Sequence, residues 1–261
     1  MISCEMVGRL GNQMFITATA HSLALDNKDQ VVHPHSIGGT SPTPDETEIH
    51  RKTIFRNLKY TNDLSFLKFV YSENPNMKFE KIDYRENLFI KGYFQSENYF
   101  KHNRKHIIEL FSPQKEIEEF INKKYSSFIN NNECVSVHIR RGDYLRLSDF
   151  HNILGQKYYE KAMKEYDGAK FVFFSDDIGW CQNTFGNKNS IFIEKQPDVI
   201  DLFLMSKITH NIIANSSFSW WGAWLNQSES QTVICPSEWF GPKNSHLVTK
   251  DLTPPSWNVI I

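Results

Sequence analysis

The chain has little of what marks a secreted, membrane-spanning or nucleic-acid-binding protein. Its four cysteines, Cys4, Cys134, Cys181 and Cys235, are far apart and none forms a CxxC pair. That spacing argues against a zinc knuckle, and the low density argues against a disulfide-stapled fold. Cys4, Cys134 and Cys235 each sit in a short apolar run and read as buried thiols of a reducing compartment. No window approaches the roughly 18 consecutive apolar residues of a membrane span. Met1 to Arg9 contains no basic segment leading into an apolar one. The expected location is cytoplasmic, peripheral at a membrane at most, with no stable insertion. A formal net charge of −1 lacks the cationic excess that a nucleic-acid backbone demands, so no nucleic-acid partner is expected. A local basic cluster can still hold a small anion.

Several catalytic signatures are also missing. His33 and His35 are two apart, and His102 and His106 are four apart without an HExxH glutamate, so no metal centre is read there. No G-x-S-x-G elbow starts a serine triad. The glycosylation sequons at Asn215 and Asn226 fall in a segment that reads as core, which makes them chance matches.

What is present is 261 residues, 40% of them hydrophobic and 14% aromatic, enough for one large domain or two compact ones. Ile2 to Val7 predicts a strand, residues 8–11 a turn, Asn12 to Leu25 a helix and Val31-Val32 a short strand. Residues 34–48, rich in Pro, Gly, Ser and Thr, predict a loop. Residues 50–130 give helical fragments at 97–111 and 114–128 and no legible topology. Beyond them the pattern alternates. Strands are expected at 133–139, 170–175, 211–214 and 232–235, and helices at 156–166, 198–207 and 217–226. That alternation implies an α/β fold with parallel sheets wrapped by helices, in two units with a cleft between them. The division drawn is 1–130, 131–240 and a tail at 241–261 that packs back on the first domain.

Four polar segments fall at predicted strand ends, where open α/β sheets bind ligands. In Gly8-Arg9-Leu10-Gly11-Asn12-Gln13 the glycines permit a tight turn and the helix start offers free N–H groups to an anion. Asn12 and Gln13 can donate to hydroxyls or phosphate; alternatively Asn12 is simply the helix cap. His138-Ile-Arg140-Arg141-Gly-Asp143-Tyr144 follows a strand, with His138 and Arg140 on one side and Arg141 on the other. A guanidinium fork with permanent charge suits a departing diphosphate, so one arginine faces the ligand while the other pairs with Asp143. Phe171-Val-Phe-Phe-Ser-Asp176-Asp177 ends in two carboxylates. One could accept the two donors of a guanine and the other cap the next helix; the absence of D-x-D spacing argues against a metal. Asn211 to Leu225 runs a strand into Asn215, Ser216 and Ser217, an anion cradle at a helix start. Trp220, Trp221 and Trp224 then follow at helical spacing, and at least two of them read as packing.

Together these segments resemble the bacterial α-1,2-fucosyltransferases. Gly11-Asn-Gln-Met-Phe15, Gly92-Tyr-Phe-Gln-Ser96, Asn211 through Asn226 and Pro236-Ser-Glu-Trp-Phe240 look like signatures of that family. The His138-to-Tyr144 segment is similar to a motif shared with the α-1,6- and protein O-fucosyltransferases. The resemblance implies a GT-B fold of two Rossmann-like domains, an inverting reaction, no cofactor and no metal. It implies GDP-β-L-fucose as donor and O2 of a terminal galactose on an oligosaccharide as acceptor. By the same resemblance Arg140 holds the β-phosphate, His138 and Asp176 sit near the guanosine, and Ser217 and Phe218 contact the donor. Asn12 lies near the reacting sugar. Arg9, Ile16-Thr17 and Asn152 depart from the family pattern, which bears on the acceptor rather than the donor. Catalysis is thus expected from Arg140, Asn12 and His151. Arg9, Gly11, Gln13, His138, Arg141, Asp143, Asp176, Asn215, Ser216, Ser217 and Phe218 are expected to bind substrate. Glu97, Asp149 and His151 are the candidate bases, His151 because its ordinary pKa lies near neutral. The rivals are a fucosyltransferase acting on a different acceptor, an α-1,6 site or a protein hydroxyl, and a non-catalytic nucleotide-sugar binder.

Overall fold

The computed structural model describes residues 1–38, 43–129 and 131–261. They form two compact units, Met1–Gln114 with Leu247–Pro254, and Lys115–His246 with Pro255–Ile261. The first unit ends at Gln114, where the sequence pattern predicts a boundary at 130.

The first unit holds a three-stranded sheet in the order β1 (Ile2–Cys4), β5 (Leu88–Lys91), β4 (Phe69–Ser72), with every pairing parallel. Val31 adds one parallel bridge to Ile2, and β2 (His33–Pro34) pairs with β3 (Tyr60–Thr61). Helix α1 spans Leu10–Asp26 and is buried almost all round, which explains why its apolar residues follow no single stripe. It starts two residues before the predicted Asn12, and β1 ends at Cys4 rather than Val7.

The predicted loop at 34–48 is partly helical. Helix α2 covers Pro44–Lys52, and Thr43 closes a reciprocal capping box with Glu46. The Thr-Pro-Asp-Glu string carries both the capping pattern and a proline at the first helical position, a local signal masked by the Pro, Gly and Ser around it. Residues 39–42 of that expectation lie outside the described residues. The predicted fragment at 97–111 is two short 3₁₀ turns leading into α3 (Arg104–Leu110).

The second unit opens with α4 (Lys115–Lys124) and is built on six parallel strands: β6 (Cys134–Ile139), β7 (Lys170–Ser175), β8 (Ser190–Phe192), β9 (His210–Ile212), β10 (Val233–Pro236) and β11 (Asn258–Ile260). Helices α5 (Gln156–Met163), α6 (Ile178–Phe185), α7 (Asp198–Lys207) and α8 (Ser217–Trp224) connect them. All six residues of β6 are buried, as a central strand covered on both faces must be. The spatial order is β11-β10-β9-β6-β7-β8. The chain builds outward from β6 to β8, returns, and builds outward the other way from β9. The strand order therefore reverses between β6 and β9, which is where such sheets open a crevice for a ligand at their carboxyl edge. All four cysteines are free and buried.

Candidate active site

In the second unit the segments from β6, β7 and β9 converge on that edge. Arg140 leaves β6 and pairs with two carboxylates, Nη2 with Asp143 Oδ1 at 2.7 Å and Nη1 with Asp176 Oδ2 at 3.0 Å. Arg141 turns the other way. Its Nε pairs with Asp177 Oδ2 at 3.1 Å, and its guanidinium lies 4.0 Å from the Trp180 ring centroid. The strand's alternation separates the two arginines, as the sequence pattern predicts. The arginine expected to face the ligand is, however, also the one that pairs with Asp143.

Asp176 is a structural centre of this network. Burial raises its carboxyl pKa, but the Arg140 charge, the N–H groups of Arg141 and Gly142, and His138 together hold it below its ordinary value. The Arg141 N–H donates to Oδ1 at 2.9 Å. Gly142 makes this approach possible: a Cβ there would sit 2.7 Å from Asp176 Oδ2. Asp177 is the helix cap of the pair, its Oδ1 accepting from the Trp180 N–H at 3.2 Å.

His138 is 5% exposed and its ring lies 5.5 Å from that of Phe218, at the start of α8. Burial first, then the Arg140 charge, pushes its pKa down to about 3 against the opposing pull of Asp176. The ring is therefore neutral at physiological pH, and its buried Nδ1 has no hydrogen-bond partner among the described residues. At the α8 start, Ser216 Oγ accepts from the Phe218 N–H at 3.3 Å, with Ser217 as the first helical residue. Asn215 ties three segments together. Its carbonyl accepts from Tyr144 Oη at 3.0 Å, and its Nδ2 donates to the carbonyls of Asn152 and Trp239, both at 2.8 Å. His151 stacks on Tyr144 at 4.2 Å and 6°, and burial is the main force lowering its pKa. Asp149 is exposed and pairs with Lys243 at 2.8 Å.

Much of the carboxyl signature is structural. Asn211 Nδ2 donates to Ser136 Oγ at 2.6 Å, and Asn226 Nδ2 donates to Asn211 Oδ1 at 3.1 Å, both within the core. Trp220, Trp221 and Trp224 are all buried and pack on one another. One carboxylate is not among the residues that the sequence pattern singles out. Asp201, in the first turn of α7, has a buried Oδ1 with no hydrogen-bond partner among the described residues, and burial together with Asp198 raises its pKa to about 8. Helix α7 follows β8, so its first turn also lies on the carboxyl side of the sheet. The only hint in sequence is a carboxylate inside the apolar run Val199 to Met205.

In the first unit, Gly8 (φ +76°) precedes Arg9, which occupies the N-cap position of α1 without a side-chain cap bond. Leu10, Gly11, Asn12 and Gln13 are the first helical residues, so Asn12 lies inside the helix and is not its cap. Gln13 Nε2 donates to the Gly8 carbonyl at 2.7 Å, and Gln95 Nε2 donates to Asn12 Oδ1 at 2.8 Å. The first two signatures of the sequence thus meet within one unit. Among the described residues, no group of three His, Cys, Asp or Glu side chains is placed to hold a metal ion.

The profile of glycosyl transferase family 11 matches residues 1–260. The chain belongs to that family. An O-antigen biosynthesis glycosyltransferase, WbnK, of Escherichia coli is 33% identical over 96% of this chain and 98% of its own. An alpha-1,2-colitosyltransferase of E. coli is 35% identical over 64% of this chain and 60% of its own. A galactoside 2-alpha-L-fucosyltransferase, SEC1, of Bos taurus is 24% identical over 84% of this chain and 62% of its own. The family 11 chain therefore spans about three fifths of the latter two relatives. Among solved structures, the α-1,6-fucosyltransferase NodZ from Bradyrhizobium soaked with GDP-fucose superposes with a TM-score of 0.51 at 14% identity, over 86% of this chain and 91% of its own. The fold is accordingly GT-B-like. Among the described residues, no helix is long and apolar enough to cross a membrane.

Proposed function

We propose that this glycosyltransferase moves L-fucose from GDP-β-L-fucose to O2 of a terminal galactose on a glycan, with inversion and without a metal. The observation behind this reading is the carboxyl edge of the second sheet. There a permanent cation, Arg140, and a neutral His138, whose buried Nδ1 has no hydrogen-bond partner among the described residues, share the switch point with the start of α8. Asp143 and Asp176 fix the guanidinium, whose five N–H donors exceed what two ion pairs occupy. The spare donors suit diphosphate oxygens, and the N–H groups opening α8 suit the same charge. As the glycosidic C–O bond breaks, charge grows on the diphosphate. Donors already in place stabilise it without reorganisation. The acceptor hydroxyl attacks the opposite face, which turns a β-linked donor into an α-linked product.

For the guanine base, Asp201 fits better than Asp176, because both Asp176 oxygens are already engaged within the chain whereas Asp201 Oδ1 has no hydrogen-bond partner among the described residues. Two N–H donors of a guanine would draw its raised pKa down by favouring the carboxylate. Asp201→Asn should weaken GDP far more than IDP, which lacks the 2-amino group, in calorimetric titrations. The expected location is the cytoplasm, in keeping with four free thiols.

A second donor is favoured by one observation, the 35% identity to a colitosyltransferase. Colitose is fucose without its 3-hydroxyl. A site built to bond that hydroxyl rejects the deoxy sugar strongly, whereas an apolar wall tolerates it. Competition of GDP-fucose against GDP-colitose on lactose or Galβ1-3GlcNAc, with and without EDTA and with product NMR, decides the matter. An EDTA-resistant α-1,2-fucoside supports the reading. A colitoside alone replaces the donor, and transfer to neither galactoside overturns the acceptor.

A further inference from the structure

The three strands of the first sheet end close together, and the residues following them form a connected relay. Glu73 follows β4 and its Oε2 accepts two consecutive backbone N–H groups, from Tyr93 at 2.7 Å and from Phe94 at 3.0 Å. These residues follow β5 in an unusual backbone. Gly92 has φ +143° and Phe94 φ +51°, the second in a region a phenylalanine enters only at a cost. Such a conformation persists only where its surroundings over-determine it. Here the carboxylate bridging Tyr93 and Phe94 does so, and a Cβ on Gly92 would collide with that side chain, 2.6 Å from Oε2. The next residue is Gln95, whose Nε2 donates to Asn12 Oδ1 at 2.8 Å. With its oxygen so engaged, the Asn12 amide turns its Nδ2 donor toward the turn after β1. A Cβ at Gly8 would lie 2.5 Å from that nitrogen, so this position also requires glycine.

We infer that Glu73 is a positioning residue: through Tyr93, Phe94 and Gln95 it sets the orientation in which Asn12 offers its amide donor. The catalytic use of that donor rests on the proposed glycosyl transfer; the relay itself does not. A burial-raised carboxyl, with Tyr71 and Tyr99 beside it, fits a group kept in place by those two backbone donors and not by solvent.

The test compares full-length wild type with Glu73→Ala, Gln95→Ala and the double variant, each checked for folding. Hydrogen exchange by mass spectrometry reads the peptides covering 8–16 and 92–99. Steady-state kinetics with GDP-fucose and lactose read the consequence. Both single variants should speed exchange several-fold at 8–16, and the double variant should add nothing further. Turnover should fall roughly ten- to a hundredfold at an unchanged donor KM, as a misplaced donor group would cause. Should Glu73→Ala loosen 92–99 while 8–16 exchanges at the wild-type rate, the relay is overturned. The same holds for additive losses. A wild type inactive on this donor and acceptor would count against the proposed transfer alone, since the exchange data still decide the relay. If Glu73→Ala does not fold, Gln95→Ala decides: unchanged exchange at 8–16 refutes the inference.

Discussion

The two turns that follow β1 and β6 both pair glycine with polar side chains, yet they present different chemistry. The turn after β1, with the α1 start it leads into, offers amides: Asn12 and Gln13 are neutral, and among their partners are Gln95 and a backbone carbonyl. The turn after β6 is ionic throughout, with Arg140, Arg141, Asp143, Asp176 and Asp177 in three ion pairs. A neutral amide can be aimed at a hydroxyl with little desolvation cost. A diphosphate needs permanent charge, and permanent charge at a partly buried edge needs fixed counter-charges to hold it. Precision in the first turn thus comes from hydrogen-bond direction, and in the second from charge balance.

The sharpest way to break that contrast is Arg140→Ala. It removes the proposed diphosphate contact and the counter-charge shared by Asp143 and Asp176, so turnover should fall about 10²–10³-fold, or about 2.7–4 kcal/mol of barrier. Near-normal turnover in the folded variant would refute the role of the ionic turn. Arg140→Lys keeps the charge but loses the fork, and should fall between the two.

Acid is the next lever, and here the paired histidines of the first unit add to the burial-lowered His138 of the second. In the first unit, burial and then the His106 charge hold His21 at about 4, while burial and then the His21 charge hold His33 at about 3. Both are lowered from 6.5, so the unfolded chain binds more protons between those values. The stability they contribute is complete above pH 6.5 and is lost as pH falls toward 4. At pH 5 the loss is on the order of 2 kcal/mol per histidine. Urea unfolding at pH 7.5 and pH 5, compared with His21→Asn, should show the variant less sensitive to acid. Equal sensitivity would clear the histidines.

Smaller still is Thr43→Ala, which opens the capping box of α2 and should cost about 1 kcal/mol, read as a lower unfolding midpoint with turnover kept. At the far end stands Asp149→Asn. An exposed carboxylate already paired with Lys243 should not be the general base, and turnover within twofold of wild type is expected. A large loss would restore it to the mechanism.

How much is legible depends on whether the signal is local. Lys170–Ser175 and Asp198–Lys207 are bounded to the residue, because apolar period and flanking turn residues agree there. Strands β4 and β5 escape detection, since Phe69–Ser72 is mostly exposed and alternates weakly. Asp201 is hidden because a carboxylate within an apolar helix start reads as a capping charge until burial is known. Asp176 and Asp177 read in sequence as one ligand and one cap. The structure keeps the cap, Asp177, and binds the other carboxylate to Arg140.

By itself the sequence determined the alternating α/β pattern, the membership of the motifs in one family and the residue types at each turn. Those are properties of short windows, where periodicity and glycine placement act locally. The tertiary structure alone decided that the strand order reverses between β6 and β9, that Arg140 rather than Arg141 takes both Asp143 and Asp176, and that Gln95 reaches Asn12. Each of these joins residues distant in the chain, and their pairing is set by which strands lie side by side in the sheet, a choice that no single window of sequence encodes.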